Sequence, residues 1–225
     1  MRQMALSLAP APAPTLQNFV GGRNIELMSL LNALARGARV ERFVYIWGVP
    51  ACGKTHLLRA MCGAFEQHDV AVTMFTGGAM QSEFPQSEVV LVDDVDQLAE
   101  SDQQRLFNVY NEQRADGGVL IAAGAVPPAC LELRDDLVTR LGWGLVYQVH
   151  MLSDEEKMAA MTEHARARGF SLNREVIDYL LRRQSRDLPD LLGMLDSLDR
   201  YSLESKRAVT IPLVRELLSE TKAEG

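Results

Sequence analysis

Gly48-Val49-Pro50-Ala51-Cys52-Gly53-Lys54-Thr55 reads G-x-x-x-x-G-K-T, the spacing of a phosphate-binding loop. The apolar run Phe43-Val44-Tyr45-Ile46-Trp47 precedes it, and Leu57, Leu58, Met61, Cys62 and Phe65 follow on one helical stripe. Strand, loop and helix in that order are the context the motif requires. Gly48 and Gly53 leave room for backbone to wrap a phosphate, with the loop Pro50-Ala51-Cys52-Gly53 around it and the loop N–H groups and the helix N-terminus turned toward it. Lys54 is expected to face the β- and γ-phosphates and the Thr55 hydroxyl to hold Mg²⁺. His56 belongs to the start of the following helix. The expected ligand is a nucleoside di- or triphosphate with Mg²⁺.

Four further apolar runs read as strands, over Val70–Phe75, Val89–Val92, Val119–Ala123 and Leu145–Val149. None alternates strictly, as expected where both faces of a sheet are covered. Helical stretches separate most of them. Ile25, Met28, Leu31 and Leu34 mark one upstream of the loop, and another runs from about Ser101 to Glu112, where Ser101 and Gln104 fit a capping box. This alternation predicts an α/β three-layer domain on a five-stranded, largely parallel sheet. From Ser153 the strands stop. Ser153-Asp154-Glu155-Glu156 predicts a capped helix with Met158, Met161 and Ala165 on one face and Gly169 at its end. Val176, Ile177, Leu180 and Leu181 mark a second helix, Leu191, Leu195 and Leu198 a third, and Pro212 opens a fourth. The expected organisation is a flexible tail over 1–15, a nucleotide-binding domain over 16–151 and an all-helical lid over 152–225.

Net charge is −7, with 11 Lys+Arg against 16 Asp+Glu in residues 1–150 and 12 against 14 in 151–225. Neither part carries a global pull toward nucleic acid or an anionic membrane. Cys52, Cys62 and Cys130 show no metal-ligand spacing and suggest a reducing cytosol. No apolar run approaches membrane-spanning length, so a cytoplasmic protein is expected. The tail joins Gln3-Met4-Ala5-Leu6-Ser7-Leu8 to the spacer Ala9-Pro10-Ala11-Pro12-Ala13-Pro14, which favours extended polyproline II.

Val89-Val90-Leu91-Val92-Asp93-Asp94 is an apolar run ending in two acids. A strand that ends beside the phosphate loop brings Asp93 to the Mg²⁺ shell, with Asp94 placed as a general base or water-orienting acid. His68, His150 and His164 form no constellation with a nucleophile and read as ordinary structural histidines.

Phosphate loop, Asp-Asp strand end and helical lid together resemble the AAA+ ATPases, and the match spans roughly residues 16–220. Phe19-Val20-Gly21-Gly22-Arg23-Asn24 is similar to the segment that opens the ATPase domain of the bacterial replication initiator DnaA, which implies that the nucleotide is ADP or ATP and that Phe19 and Val20 border it. Leu137-Val138-Thr139-Arg140-Leu141-Gly142-Trp143-Gly144 resembles the S-R-(L/F)-x-W-G box of that family. The resemblance implies that Arg140 acts in trans, on ATP bound by a neighbouring molecule. The tail resembles the Q-x-x-L-x-(F/L) peptide that docks on the sliding clamp (the DNA polymerase III β subunit), which implies clamp contacts by Gln3, Leu6 and Leu8. A DNA-reading helix-turn-helix domain, which DnaA carries after its lid, has no counterpart, so no sequence-specific DNA binding is expected.

Three departures from the family pattern point to weak or absent turnover. Ala122-Ala123-Gly124-Ala125 offers no polar γ-phosphate sensor at the fourth strand end. Pro189 occupies the register of the lid's nucleotide-sensing arginine, with Arg183 or Arg186 as substitutes. Asp94 stands where many AAA+ ATPases carry Glu. The expected function is a DnaA-like AAA+ regulator of replication initiation. It would dock on the DNA-loaded sliding clamp and stimulate hydrolysis of DnaA-bound ATP. The rival is a self-assembling AAA+ ATPase, a homo-oligomer that loads or remodels a replication protein; a small-molecule kinase fits the helical C-terminal third poorly.

Overall fold

Phe43–Trp47 forms β1, the strand from which the sheet is built in both directions. Val44 and Ile46 point into one apolar layer while Phe43 and Tyr45 point into another, so both faces of the strand need a cover. The computed structural model describes residues 13–38, 40–78, 87–183 and 188–223. The other strands are β2 (Val72–Thr76), β3 (Val89–Asp93), β4 (Val119–Gly124) and β5 (Leu145–Gln148), in spatial order β2-β3-β4-β1-β5 and parallel throughout. Their C-terminal ends therefore share one edge, where ligands of open α/β sheets bind.

One face carries α1 (Ile25–Ala35) and α2 (Lys54–Glu66), which bury Leu27, Leu31, Leu58 and Met61 against Leu91 and Ile121. The other carries α3 (Glu100–Asp116) and α4 (Asp135–Leu141), which bury Leu106, Tyr110 and Leu137 against Val90 and Leu120. This is the expected three-layer α/β fold. β3 and β4 are buried at every position, which is why neither alternates in sequence.

Two local expectations are corrected. Ile25 is 73% exposed, and α1 buries Leu27, Leu31 and Leu34 instead; the register moves because the helix is pinned at Asn24 rather than by its first apolar side chain. Ser101 and Gln104 make no capping box: the N-cap of α3 is Ala99, without a side-chain bond. The chain turns one residue pair early, and the Asp102 and Gln103 amides both donate to the Ala99 carbonyl. Glu100 and Asp102 in the first turn face the helix dipole favourably.

Ala13–Met151 form one compact unit and the residues from Leu152 a second. The second holds α5 (Asp154–Ala167), α6 (Arg174–Arg183), α7 (Leu188–Ser205) and α8 (Ile211–Ala223). The Ser153 box closes α5, its hydroxyl accepting from the Glu156 amide at 3.2 Å and the Glu156 carboxylate accepting from the Ser153 amide at 2.7 Å. Met161, Leu180, Leu195 and Leu213 are among its fully buried side chains. His164 has a structural role: its Nε2 lies 2.6 Å from Asp196, which also takes the Arg168 guanidinium, so α5 is tied to α7. Among the described residues no helix is long and apolar enough to cross a membrane.

Candidate nucleotide site and an isolated arginine

The phosphate loop springs from the C-terminal end of β1. The Gly48 amide donates to the Gly124 carbonyl at 3.3 Å, which anchors the loop to β4. A Cβ on Gly48 would stand 2.6 Å from the Val149 carbonyl oxygen, so only glycine fits. Gly53 has φ +104, in the left-handed region that L side chains avoid, and it is the N-cap of α2. Between them Val49, Pro50 and Ala51 form an exposed arc, while Cys52 is buried beneath it. Burial raises the pKa of the Cys52 thiol, opposed by the nearby Lys54 ammonium.

Lys54 is 8% exposed, and its Nζ donates to the Gly48 carbonyl at 2.7 Å and the Val49 carbonyl at 3.3 Å. The loop thus holds a buried cation on neutral partners, at the foot of a helix N-terminus. That arrangement suits an anion. Thr55 Oγ1 donates to Asp93 Oδ2 at 2.6 Å, joining the first turn of α2 to the end of β3. The two groups expected to hold Mg²⁺ therefore meet, an oxygen-donor pair of the kind a hard cation takes. Asp93 is 2% exposed, and its other oxygen accepts from the Asp94 amide at 3.1 Å.

Asp94 adopts φ +48, a left-handed conformation that aspartate tolerates better than most residues. Its carboxyl pKa is raised, first by partial burial and then by Asp93 and Asp96. The tip of β4 carries no polar side chain, as its sequence requires. The Tyr45 hydroxyl donates to the Val126 carbonyl at 2.8 Å, and the Asp96 carboxylate accepts from the Ala125 amide at 3.0 Å.

The N-terminal segment crosses the loop. A Cβ on Gly53 would lie 2.7 Å from the Phe19 ring, and that ring also packs 5.5 Å from the His56 ring. His56 Nε2 reaches the Thr15 carbonyl at 3.2 Å. Val20 is half-buried on the same segment. The residue that fixes this segment was not anticipated. Asn24, 3% exposed, donates to the His150 carbonyl at 2.9 Å and accepts from the His150 amide at 2.8 Å. A lone Asn gives no sign in sequence of a partner so far along the chain. Asn24→Ala is expected to leave both His150 groups unpaired, at about 1–3 kcal/mol each when buried. Denaturant unfolding should show a loss of at least about 2 kcal/mol; an unchanged midpoint would mean that water replaces the amide without cost.

Arg140 lies elsewhere, in the last turn of α4. α4 leads into β5 at the edge where strands begin, whereas the phosphate loop leaves β1 at the edge where strands end. β1 separates the two edges by roughly 13 Å of strand rise. Arg140 is not paired with Asp135 or Asp136; Asp136 is taken bidentately by Arg134. Among the described residues Arg140 has no ion-pair or hydrogen-bond partner, and its Nε is buried. The guanidinium lies 4.0 Å from the Trp143 ring centroid and 5.5 Å from that of Phe107. Trp143 itself is 54% exposed.

In the lid, Arg183 and Arg215 lie 5.8 and 5.5 Å from the Tyr179 ring, and Pro189 sits in the first turn of α7, where a missing amide is tolerated. Arg186 and the tail residues Gln3, Leu6 and Leu8 lie outside the described residues.

Residues 70–148 match the family described as bacterial DnaA ATPase domain, and residues 154–218 match the family described as Hda, lid domain. An uncharacterized protein of Haemophilus influenzae is 33% identical over 229 aligned positions, covering 97% of this chain and 99% of its own length. Domain III of the Thermotoga maritima replication initiation protein DnaA has the same fold, with TM-score 0.72 at 23% identity over 93% of this chain and 97% of that one. AMPPCP-bound DnaA from Aquifex aeolicus gives TM-score 0.69 at 21% identity, over 82% of this chain and 65% of that one.

Proposed function

The chain belongs to the DnaA-like AAA+ family of replication regulators, in the branch that carries the Hda lid, and on that premise we propose that it switches DnaA off by completing DnaA's ATP site with Arg140. The observation that carries this reading is the position and state of Arg140. It stands at the opposite sheet edge from its own phosphate loop, and among the described residues no carboxylate pairs with it. Its guanidinium serves a phosphate on another molecule, where it stabilises the charge that develops as the γ-phosphoryl group leaves.

This chain's own nucleotide site has a binding role. ADP or ATP is held by the loop Gly48–Thr55 with its Lys54, by Phe19 and Val20 along the crossing segment, and by His56 of α2 beneath it. Thr55 and Asp93 would hold Mg²⁺, which neutralises phosphate charge. The AMPPCP-bound DnaA fold supports such a site. Gln3, Leu6 and Leu8 dock on the sliding clamp, which concentrates the chain on DNA where DnaA is met.

The test is single-turnover hydrolysis of labelled ATP pre-bound to DnaA, on clamp-loaded DNA, with and without this chain. A rate unchanged by the chain overturns the proposal. Own turnover is expected to be slow, because the tip of β4 offers no polar side chain to the γ-phosphate. Steady-state phosphate release by the pure protein checks this. Brisk release, lost in Asp94→Asn, would favour the self-assembling ATPase.

A further inference from the structure

We infer that Trp143 is the positioning residue for Arg140, holding the guanidinium by its ring face so that the N–H fork stays free for a phosphate. The inference rests on the function proposed for Arg140. An arginine that must meet an anion on another molecule faces two opposed demands. Left loose, it loses the entropy of a long side chain on every encounter. Held by a carboxylate, it is neutralised and its donors are occupied. Stacking on an aromatic face meets both demands, because the ring restrains the guanidinium plane and takes none of the in-plane hydrogen bonds.

The geometry around the ring follows that logic. The Trp143 amide donates to the Arg140 carbonyl at 3.1 Å, so the turn after α4 brings the two side chains side by side. The next residue fixes where the ring stands. A Cβ on Gly144 would lie 2.0 Å from the Phe43 carbonyl oxygen, so the backbone there sits flush on the start of β1. Arg114 of α3 lies 5.5 Å from the same indole and 5.8 Å from the Phe43 ring, a second cation against the ring. Trp143 nonetheless remains 54% exposed. A tryptophan placed for core packing would be buried; this one gives its ring to two guanidinium groups, and Arg140 is the nearer.

The experiment uses the full chain with clamp-loaded DNA and ATP-bound DnaA, titrated so that maximal rate and half-saturating concentration separate. Trp143→Ala and Trp143→Leu are expected to lower the maximal single-turnover rate on the order of 10-fold, the scale of a lost, partly desolvated cation–aromatic contact. The half-saturating concentration should move less than about twofold, and Trp143→Phe should recover most of the rate. In an Arg140→Ala background Trp143→Ala should change nothing further. A second readout needs no partner: the Arg140 Nε–H resonance should be displaced by the indole ring current in the parent and return toward the ordinary arginine position in Trp143→Leu. Parent-like rates in Trp143→Leu, or an undisplaced resonance, would overturn the inference, because packing alone would then suffice. A raised half-saturating concentration at full maximal rate would also overturn it, making Trp143 a docking contact. If Arg140→Ala keeps the parent rate, the proposed function itself fails. If Arg140→Ala is inactive while Trp143→Ala is not, only the positioning role falls.

Discussion

If the proposed function holds, Arg140→Ala is expected to abolish stimulation of DnaA-bound ATP hydrolysis, a loss on the order of 10³-fold or more, the scale of a trans arginine in phosphoryl transfer. The fold should survive, because among the described residues the side chain has no ion pair or hydrogen bond to lose. What disappears is a partly desolvated cation–aromatic contact of about 1–2 kcal/mol. Part of that is offset by removal of a buried, unbonded Nε. Arg140→Lys should fail to rescue. An ammonium is a compact point charge and cannot reproduce the planar fork of donors, and its stacking on Trp143 would be poorer. Both variants should bind nucleotide like the parent, since their own phosphate loop lies across the sheet. The measurement is the single-turnover assay beside calorimetric titration of ADP. Parent-like stimulation by Arg140→Ala would reduce Arg140 to an ordinary surface residue.

The geometry of the candidate nucleotide site was legible in sequence because its parts are local. Gly48 to Thr55 is one turn of chain between β1 and α2, and its chemistry follows from residue type and spacing. Asp93 required one long-range assumption, that β3 ends beside the loop; the 2.6 Å bond from Thr55 bears out that adjacency. The strands were legible because β3 and β4 are buried on both faces and give unbroken apolar runs. What sequence hid is what depends on distant partners. Asn24 binds the backbone of a residue more than a hundred positions away. Ile25 fits the apolar period of α1, yet it faces water because that anchor sets the helix rotation. Ser101 fits a cap by spacing, but the extended backbone of Ala99 starts the helix earlier. The setting of Arg140 was hidden too. Asp135 and Asp136 stand five and four positions before Arg140 in the chain, and only the fold gives Asp136 to Arg134 and leaves Arg140 to two aromatic rings.

Lys54→Ala is expected to weaken binding of ADP and ATP about 10- to 100-fold, the range for losing hydrogen bonds to a charged partner. In the structure the ammonium is buried on two neutral carbonyls, which are weaker partners than phosphate oxygens. The cation is therefore placed and dehydrated before any ligand arrives, so little reorganisation opposes binding. The effect should appear twice. Calorimetry reads the affinity directly, and equal values for variant and parent would sink the phosphate-loop assignment. Thermal unfolding reads the linkage. At a nucleotide concentration 100 times the parent Kd, ligand stabilises the parent by about 2.7 kcal/mol, but a variant bound 100-fold more weakly by only about 0.4 kcal/mol. Without nucleotide the two melting curves should lie close together. Removing a buried charge offsets the loss of its bonds to the Gly48 and Val49 carbonyls. Lys54→Ala and Arg140→Ala then form a crossed pair. The first should lose nucleotide and keep an intact arginine; the second should keep nucleotide and lose stimulation. The sites stand on opposite edges of the sheet with no shared partner, so their direct effects on binding and on chemistry should add in the double variant. If Lys54→Ala also stops stimulation, bound nucleotide is required to bring the arginine face to DnaA. If it does not, the two sites work independently.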